Sequence, residues 1–196
     1  MSDATLIPGA DPRPGEILHF WFGADLERVP AVLQKRWFAG DPVFDGEILT
    51  RFIALYHEAV ERRIEEWRRG PLRCLAYVIL LDQFPRNMFR GSAKAFASDA
   101  LALAAARGAI GHGFDREVPP LARAFLYLPF AHSEALADQD EGVRLYGQWE
   151  GEPALRSYAE HARRHRAQIA RFGRFPHRNA AVGRESTPEE IEFLRE

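Results

Sequence analysis

Two stretches of this chain carry side chains that could bind a ligand. One is Asp82-Gln83-Phe84-Pro85-Arg86-Asn87 and the other is Phe175-Pro176-His177-Arg178-Asn179. In both, a phenylalanine and a proline come just before an arginine and an asparagine. Arginine presents a planar fork of N–H donors that fits carboxylate and phosphate groups, and asparagine can orient a ligand by hydrogen bonds. The repeated pattern predicts a site for a small anionic or polar ligand.

A third stretch, His132-Ser133-Glu134, adds groups that could move protons. His132 or His177 could act as an acid or base, because imidazole titrates near neutral pH. Asp82 and Glu134 could be bases or could balance the charge of the arginines. We assign no catalytic role and no cofactor from the sequence. The candidate ligand-binding residues are Asp82, Gln83, Arg86, Asn87, His132, Glu134, His165, His177, Arg178 and Asn179.

A metal site is a further hypothesis for some of the same side chains. His132, Glu134, His165 and His177 are suitable ligands for zinc or another divalent ion, and His161 lies four residues before His165 on one helix face. The H-E-x-x-H pattern and the paired Glu-x-x-His motif of di-iron bundles are both absent. A metal-dependent enzyme therefore ranks third, and no metal ligand is predicted.

A structural interpretation of the polar residues also stays open. Arginine and asparagine that follow a Phe-Pro pair can cap the free carbonyls at the end of a helix. The carboxylates of Asp82, Glu134 and Glu185 would then neutralise those arginines inside the fold. Such buried networks cost desolvation, but they can favour one arrangement of the helices.

The elements that must position these groups are predicted to be helices. Apolar residues recur at helical spacing from Phe44 to Ala59, and the segment from Pro71 to Leu81 is apolar on nearly every side, which indicates a central buried helix. Pro85 predicts that this helix ends or kinks near Phe84 and that a loop then carries Arg86 and Asn87. No segment shows sustained β alternation. We therefore expect an all-α fold of about eight or nine helices in antiparallel pairs.

Length and composition limit the organisation and the partners. The 196 residues suit one domain, which we place at residues 15–196 after a loose N-terminal tail at residues 1–14. A net charge of -2 gives no field that would attract nucleic acid or an anionic membrane, so neither partner is expected. The single cysteine, Cys74, excludes an internal disulfide, and no signal peptide or membrane span is visible. The expected location is the cytoplasm.

Three long motifs carry a resemblance to a known family. They are LLDQFPRN at residues 80–87, FLYLPF at 125–130 followed by His132-Ser133-Glu134, and FGRFPHRN at 172–179. They resemble an uncharacterised bacterial family, a domain of unknown function with a tetratricopeptide-like helical fold, and the resemblance extends from about residue 15. It implies a right-handed superhelix of helix pairs, and it implies no activity.

The sequence thus favours a helical protein that binds a small anionic or polar ligand between helices, with acid–base chemistry as an option. The alternative is a helical scaffold, because arrays of helix pairs commonly present a concave groove to a peptide or protein partner.

Overall fold

The computed structural model describes residues 11–195, and these form helices and turns with no β-strand among them. Nine of the ten α-helical segments have six or more residues, so the expected all-α class is confirmed for this part of the chain. The tetratricopeptide-like superhelix stays a prediction, and residues 1–10 of the predicted tail lie outside the described residues. The segments are α1 (Arg13–Phe22), α2 (Ala31–Trp37), α3 (Pro42–Val60), α4 (Pro71–Asp82), α5 (Phe84–Met88), α6 (Asp99–Gly111), α7 (Pro120–His132), α8 (Leu136–Gly147), α9 (Arg156–Phe172) and α10 (Pro188–Phe193).

Helix α4 lies at the centre, as its apolar sequence predicts. It packs against α1, α3, α6 and α7, and every residue from Cys74 to Asp82 is buried. No helix in the described part of the chain is long and apolar enough to cross a bilayer. Because α4 is enclosed on all sides, the carboxylate of Asp82 at its end must find its partners inside the protein.

The chain stays helical beyond Pro85, so the predicted loop carrying Arg86 and Asn87 is wrong. Helix α5 begins at Phe84, directly after Gln83, and Pro85 occupies its first turn, where a missing N–H costs no helical hydrogen bond. Arg86 therefore lies one turn after Asp82, and its Nη1 donates to the Asp82 carbonyl at 2.5 Å. This contact is the capping that the structural interpretation expects.

Aromatic side chains join the N-terminal helices to α7. The ring of Trp37 stacks on Trp21 at 5.7 Å between centroids and meets Phe125 of α7 edge-on at 4.7 Å. The indole N–H of Trp37 donates to the Trp21 carbonyl at 2.9 Å. Buried aromatic pairs of this geometry stabilise packing beyond their area alone, so α2 is held firmly beside α7.

The end of α7 is held by α8. Pro129 lies within α7 without ending it. The side chain of Gln139, from α8, contacts the carbonyls at the end of α7. Its Nε2 donates to the carbonyls of Ala131 at 2.9 Å and Ser133 at 2.6 Å. Gly142 permits this close approach, because a Cβ there would lie 3.3 Å from the Cβ of Phe130. The position of His132, the last residue of α7, follows from these contacts.

The C-terminal segment, residues 173–195, returns across the end of α7. Helix α9 ends at Gly173, whose φ of +68° is a left-handed conformation that favours glycine. Glu134, just after α7, accepts a hydrogen bond from the backbone N–H of Phe175 at 2.8 Å and pairs with Arg184 at 2.7 Å. These contacts bring Arg178 beside α7.

Candidate functional site

The centre of the candidate site is a contact between Asp82 and His132. The carboxylate of Asp82 accepts a hydrogen bond from His132 Nδ1 at 2.7 Å and one from Gln83 Nε2 at 2.5 Å. Arg86 Nη1 lies 3.4 Å from the same carboxylate. Since a carboxylate only accepts, the Nδ1 of His132 carries the proton and Nε2 keeps the free lone pair. A buried carboxylate that holds an imidazole in this way can position a general base.

The surrounding charges set the protonation of this pair. Burial disfavours a charge on Asp82, but the charge of Arg86 and the contact with His132 outweigh it and lower the pKa of Asp82 below its ordinary range. Burial and the nearby Arg86 lower the pKa of His132, and Asp82 offsets this only in part. At neutral pH the pair is therefore a carboxylate beside a neutral imidazole, the form in which His132 can accept a proton.

Asp99, at the start of α6, connects the pair to the C-terminal segment. It receives two hydrogen bonds from Arg86, at 2.9 and 3.0 Å, and lies 3.4 Å from Arg178 Nη1. Arg178 Nη2 donates to the backbone carbonyl of His132 at 2.9 Å. One hydrogen-bonded network thus joins residues that are distant along the chain, namely Asp82, Asp99, His132 and Arg178.

The guanidinium of Arg178 is enclosed between two aromatic rings. Its central carbon lies 4.6 Å from the ring centroid of Phe96 and 4.5 Å from that of Phe175. Burial, and then the like charge of Arg86, lower the pKa of Arg178 to about 10. It remains charged at neutral pH, and its packing ties the C-terminal segment to the rest of the fold.

His132 lines two cavities. The first, which we call the arginine cavity, has a volume of about 380 Å³ and lies between α6, α7 and the C-terminal segment. The second, which we call the histidine cavity, has a volume of about 440 Å³ and lies between α2, α7 and α9. The arginine cavity is lined by Phe96, Ala97, Asp99, Ala100, Leu103, Pro129, His132, Ser133, Glu134, Arg178, Val182 and Arg184. The histidine cavity is lined by Gln34, Trp37, Phe38, Leu128, His132, Ala154, Ser157, Tyr158, His161 and Arg164.

The two cavities differ in whether their polar groups are already engaged. In the arginine cavity the charges are paired within the fold, as the bidentate contact of Arg184 with Glu134 shows. In the histidine cavity the side chains of Tyr158, His161 and Arg164 make no hydrogen bond or salt bridge to any residue in the range 11–195. The histidine cavity therefore offers free donors and acceptors to a ligand.

Two further histidines of α9 lie beside His132. The ring centroid of His165 is 6.3 Å from that of His132 and 4.0 Å from that of His161. His165 Nδ1 donates to the Ala131 carbonyl at 2.8 Å, and burial lowers the pKa of His165 to about 3. Across residues 11–195, no three His, Cys, Asp or Glu side chains are grouped so that they could hold a metal ion.

The remaining candidate residues lie elsewhere. Asn87 donates to Asp45 of α3 at 2.8 Å and so ties α5 to α3. Asn179 is buried in the C-terminal segment and donates to Glu190 at 3.2 Å. His177 is exposed, with its ring centroid 5.4 Å from that of Phe175. The structure thus brings together Asp82, Gln83, Arg86, His132 and Arg178, with His165 close by and with Glu134 on the wall of the arginine cavity.

Sequence reasoning missed several residues that the structure places at the site. Asp99 is typical of an aspartate at the start of a helix. No signal in the sequence predicts that it contacts two arginines. Tyr158 and His161 were recognisable, because they precede His165 by seven and four residues and so share one helix face with it. Arg164 is one of many basic residues near the C-terminus, and no sequence signal distinguishes it from the others.

We expect the protein to lose stability as the pH falls below 6.5. The pKa of His165 is about 3 in the folded protein and near its ordinary 6.5 when unfolded, so only the unfolded chain binds this proton between those values. The free energy of unfolding then rises with pH through this window, by at most about 1.4 kcal/mol per pH unit for one such histidine. Above the window it levels off. Urea denaturation at pH 7, 6 and 5 measures the slope.

The variant His165→Gln should reduce this pH dependence, because glutamine can keep the hydrogen bond to the Ala131 carbonyl and does not titrate. The part that remains comes from His161, whose pKa burial lowers to about 4. The matched control is His57→Gln, at an exposed position of α3. Equal slopes for the two variants would contradict the assignment of the pH dependence to His165.

Comparisons with known proteins agree with this fold. The chain is similar to the structure of a protein of unknown function from Agrobacterium tumefaciens, with a TM-score of 0.84 and 39% identity over 94% of this chain and 98% of that one. None of the curated proteins compared with the chain matches it. The sequence profile of a family described as "Bacterial protein of unknown function (DUF924)" matches residues 17–196. The resemblance expected from the three motifs is therefore confirmed, and the chain belongs to the DUF924 family.

Proposed function

We propose that this protein binds a small organic anion in the histidine cavity and that His132, held by Asp82, acts on it as a general base. One observation carries the proposal. Asp82 is buried and holds His132, which borders a cavity where the side chains of Tyr158, His161 and Arg164 have no hydrogen-bond partner among residues 11–195. Enclosed sites with a few free polar groups and a titratable residue of shifted pKa are the usual form of a small-molecule site.

The lining of the histidine cavity indicates the class of ligand. Trp37, Phe38 and Leu128 supply apolar and aromatic surface, and Phe38 leaves 63% of its side chain exposed. Arg164 supplies a positive charge, and Tyr158 supplies a hydroxyl. A ligand that combines an apolar or aromatic body with a carboxylate or phosphate group would satisfy both kinds of surface.

The chemistry of the pair supports a role in proton transfer. A neutral His132 accepts a proton at Nε2, and the carboxylate of Asp82 stabilises the imidazolium that forms. Gln83 holds that carboxylate in place, and Arg86 keeps it ionised. A positioned base of this kind typically accelerates a reaction by about 10²–10⁴-fold.

Binding can be tested with 8-anilinonaphthalene-1-sulfonate, a fluorescent aromatic anion. We expect the parent protein to bind it in the histidine cavity, and Arg164→Gln to weaken binding by about tenfold, because one ion pair is lost in a partly apolar site. The matched control is Arg163→Gln on the same helix, where Arg163 pairs with Glu150 outside the cavity. Fluorescence titration gives the dissociation constants. If Arg164→Gln binds the probe as tightly as the control does, the ligand site is elsewhere.

The base can be tested separately with 5-nitrobenzisoxazole, whose ring opens when a base removes its C–H proton. We expect His132→Ala to lose about 100-fold of the protein-catalysed rate, and the control His57→Ala to keep it. The parent rate should fall as the pH drops through the pKa of His132, because protonation removes the lone pair. A rate that is the same in His132→Ala and the parent would contradict the assignment of the base.

A further inference from the structure

A third cavity lies near the start of α7, at the opposite end of that helix from His132. We call it the basic cavity; its volume is about 230 Å³. It is bordered by α7, α8 and the turn that precedes α7. Its polar lining residues are Asp115, Arg116, Arg123, Tyr127, Arg144 and Gln148.

Two of the three arginines of the basic cavity, Arg116 and Arg123, are incompletely paired. The side chain of Arg116 makes no hydrogen bond or salt bridge to any residue that the structure describes. Arg123 donates from Nη2 to the Val118 carbonyl at 3.2 Å, but its Nε is buried and has no partner within residues 11–195. Arg144 pairs with Glu141, one turn earlier on α8, at 2.6 Å. The side chains of Arg116 and Arg123 therefore keep N–H groups for which the described residues supply no acceptor.

The acidic group of the cavity does not supply that acceptor. Asp115 is buried and accepts a hydrogen bond from the Tyr127 hydroxyl at 2.7 Å. Burial and this contact with Asp115 raise the pKa of Tyr127 to about 12, so the hydroxyl keeps its proton. One carboxylate faces three guanidinium groups, of which Arg144 is paired with Glu141 outside the lining, so one positive charge remains in excess.

We propose that the basic cavity binds a phosphate group, either inorganic phosphate or the phosphate of a small metabolite. Phosphate has several acceptor oxygens, so it can take hydrogen bonds from more than one arginine fork at once. The cavity is large enough for a phosphate group and a few attached atoms.

Isothermal titration with inorganic phosphate, glycerol 3-phosphate and acetate, at constant ionic strength, tests this site. We expect both phosphates to bind and acetate to bind at least tenfold more weakly. Arg116→Gln, at an exposed position, should weaken phosphate binding by about tenfold without affecting folding, and Arg123→Gln should do the same. The control is Arg63→Gln, at an exposed arginine outside the cavity.

The possible results distinguish inorganic phosphate from a phosphorylated metabolite as the ligand. They also distinguish this proposal from that of a base beside the histidine cavity. Tighter binding of glycerol 3-phosphate than of inorganic phosphate would support a phosphorylated metabolite, and equal binding would support recognition of the phosphate alone. Unchanged phosphate binding in both Arg116→Gln and Arg123→Gln would overturn the site, as would acetate binding as tight as phosphate. His132→Ala should leave phosphate binding unchanged, because the basic cavity does not depend on the base.

Discussion

Replacing Asp82 with asparagine is expected to lower the free energy of unfolding by about 3 kcal/mol, because a buried ion pair then loses one partner. The carboxylate of Asp82 is fully buried and holds His132, Gln83 and Arg86. Asparagine has the same shape but no charge, so Arg86 would remain buried with Asp99 as its one acidic partner.

The matched control is Asp140→Asn, because Asp140 is exposed and pairs with Arg166 at the surface. An exposed ion pair is worth less than about 1 kcal/mol, so the control should be nearly neutral. For a protein of this size, about 3 kcal/mol corresponds to a fall of about 6–12 °C in melting temperature. Thermal and urea denaturation of the two variants measure the difference. Equal melting temperatures for both would mean that Asp82 is not a structural partner of Arg86.

Replacing Arg86 with methionine is expected to lower the free energy of unfolding by about 3–5 kcal/mol. This is the second of the two largest effects that we expect. Methionine fills a similar volume, so the change removes charge and hydrogen bonds more than packing. The carboxylate of Asp82 would then be buried without a cation, and the Asp82 carbonyl would lose the donor that lies 2.5 Å away. Asp99 would keep Arg178 as its remaining arginine.

Arg178→Met is the variant to compare with Arg86→Met, and we expect it to lower the free energy of unfolding by about 1 kcal/mol or less. Asp99 keeps its bidentate contact with Arg86, so no buried carboxylate is left without a cation. The lowered pKa of Arg178 shows that burying this guanidinium is itself unfavourable, and methionine packs well between aromatic rings. Urea denaturation of both variants gives the two values. A loss at Arg178 as large as that at Arg86 would show that the network depends on both arginines alike.

These stability effects do not argue against a function for the same residues. The contact that keeps Asp82 ionised inside the protein also keeps the Nδ1 proton on His132 and leaves Nε2 free. Asp82→Asn should therefore lower both stability and the rate of proton removal by His132. Arg178→Met should leave that rate largely unchanged, because Arg178 contacts only the backbone carbonyl of His132.

Much of the fold follows from local patterns in the sequence. The apolar run of α4 predicts a buried central helix, and the structure confirms it. Asp82 and Arg86 are spaced by one helical turn, but Pro85 predicts a loop at Arg86, so the sequence did not predict their contact. Gly173 after α9 indicates the end of that helix. The residues that determine each of these features lie within one or two helical turns of each other.

The sequence by itself determined the helical class, the central position of α4 and the types of polar residue available. Only the tertiary structure decided which of them meet. Asn87 and Asn179 each follow the arginine of a Phe-Pro motif, yet one contacts Asp45 and the other Glu190. His132 meets Asp82 across 50 residues, and the histidine cavity forms between three separate helices. Helix periodicity acts over three or four residues, whereas these contacts depend on how whole helices pack, which a local pattern does not encode.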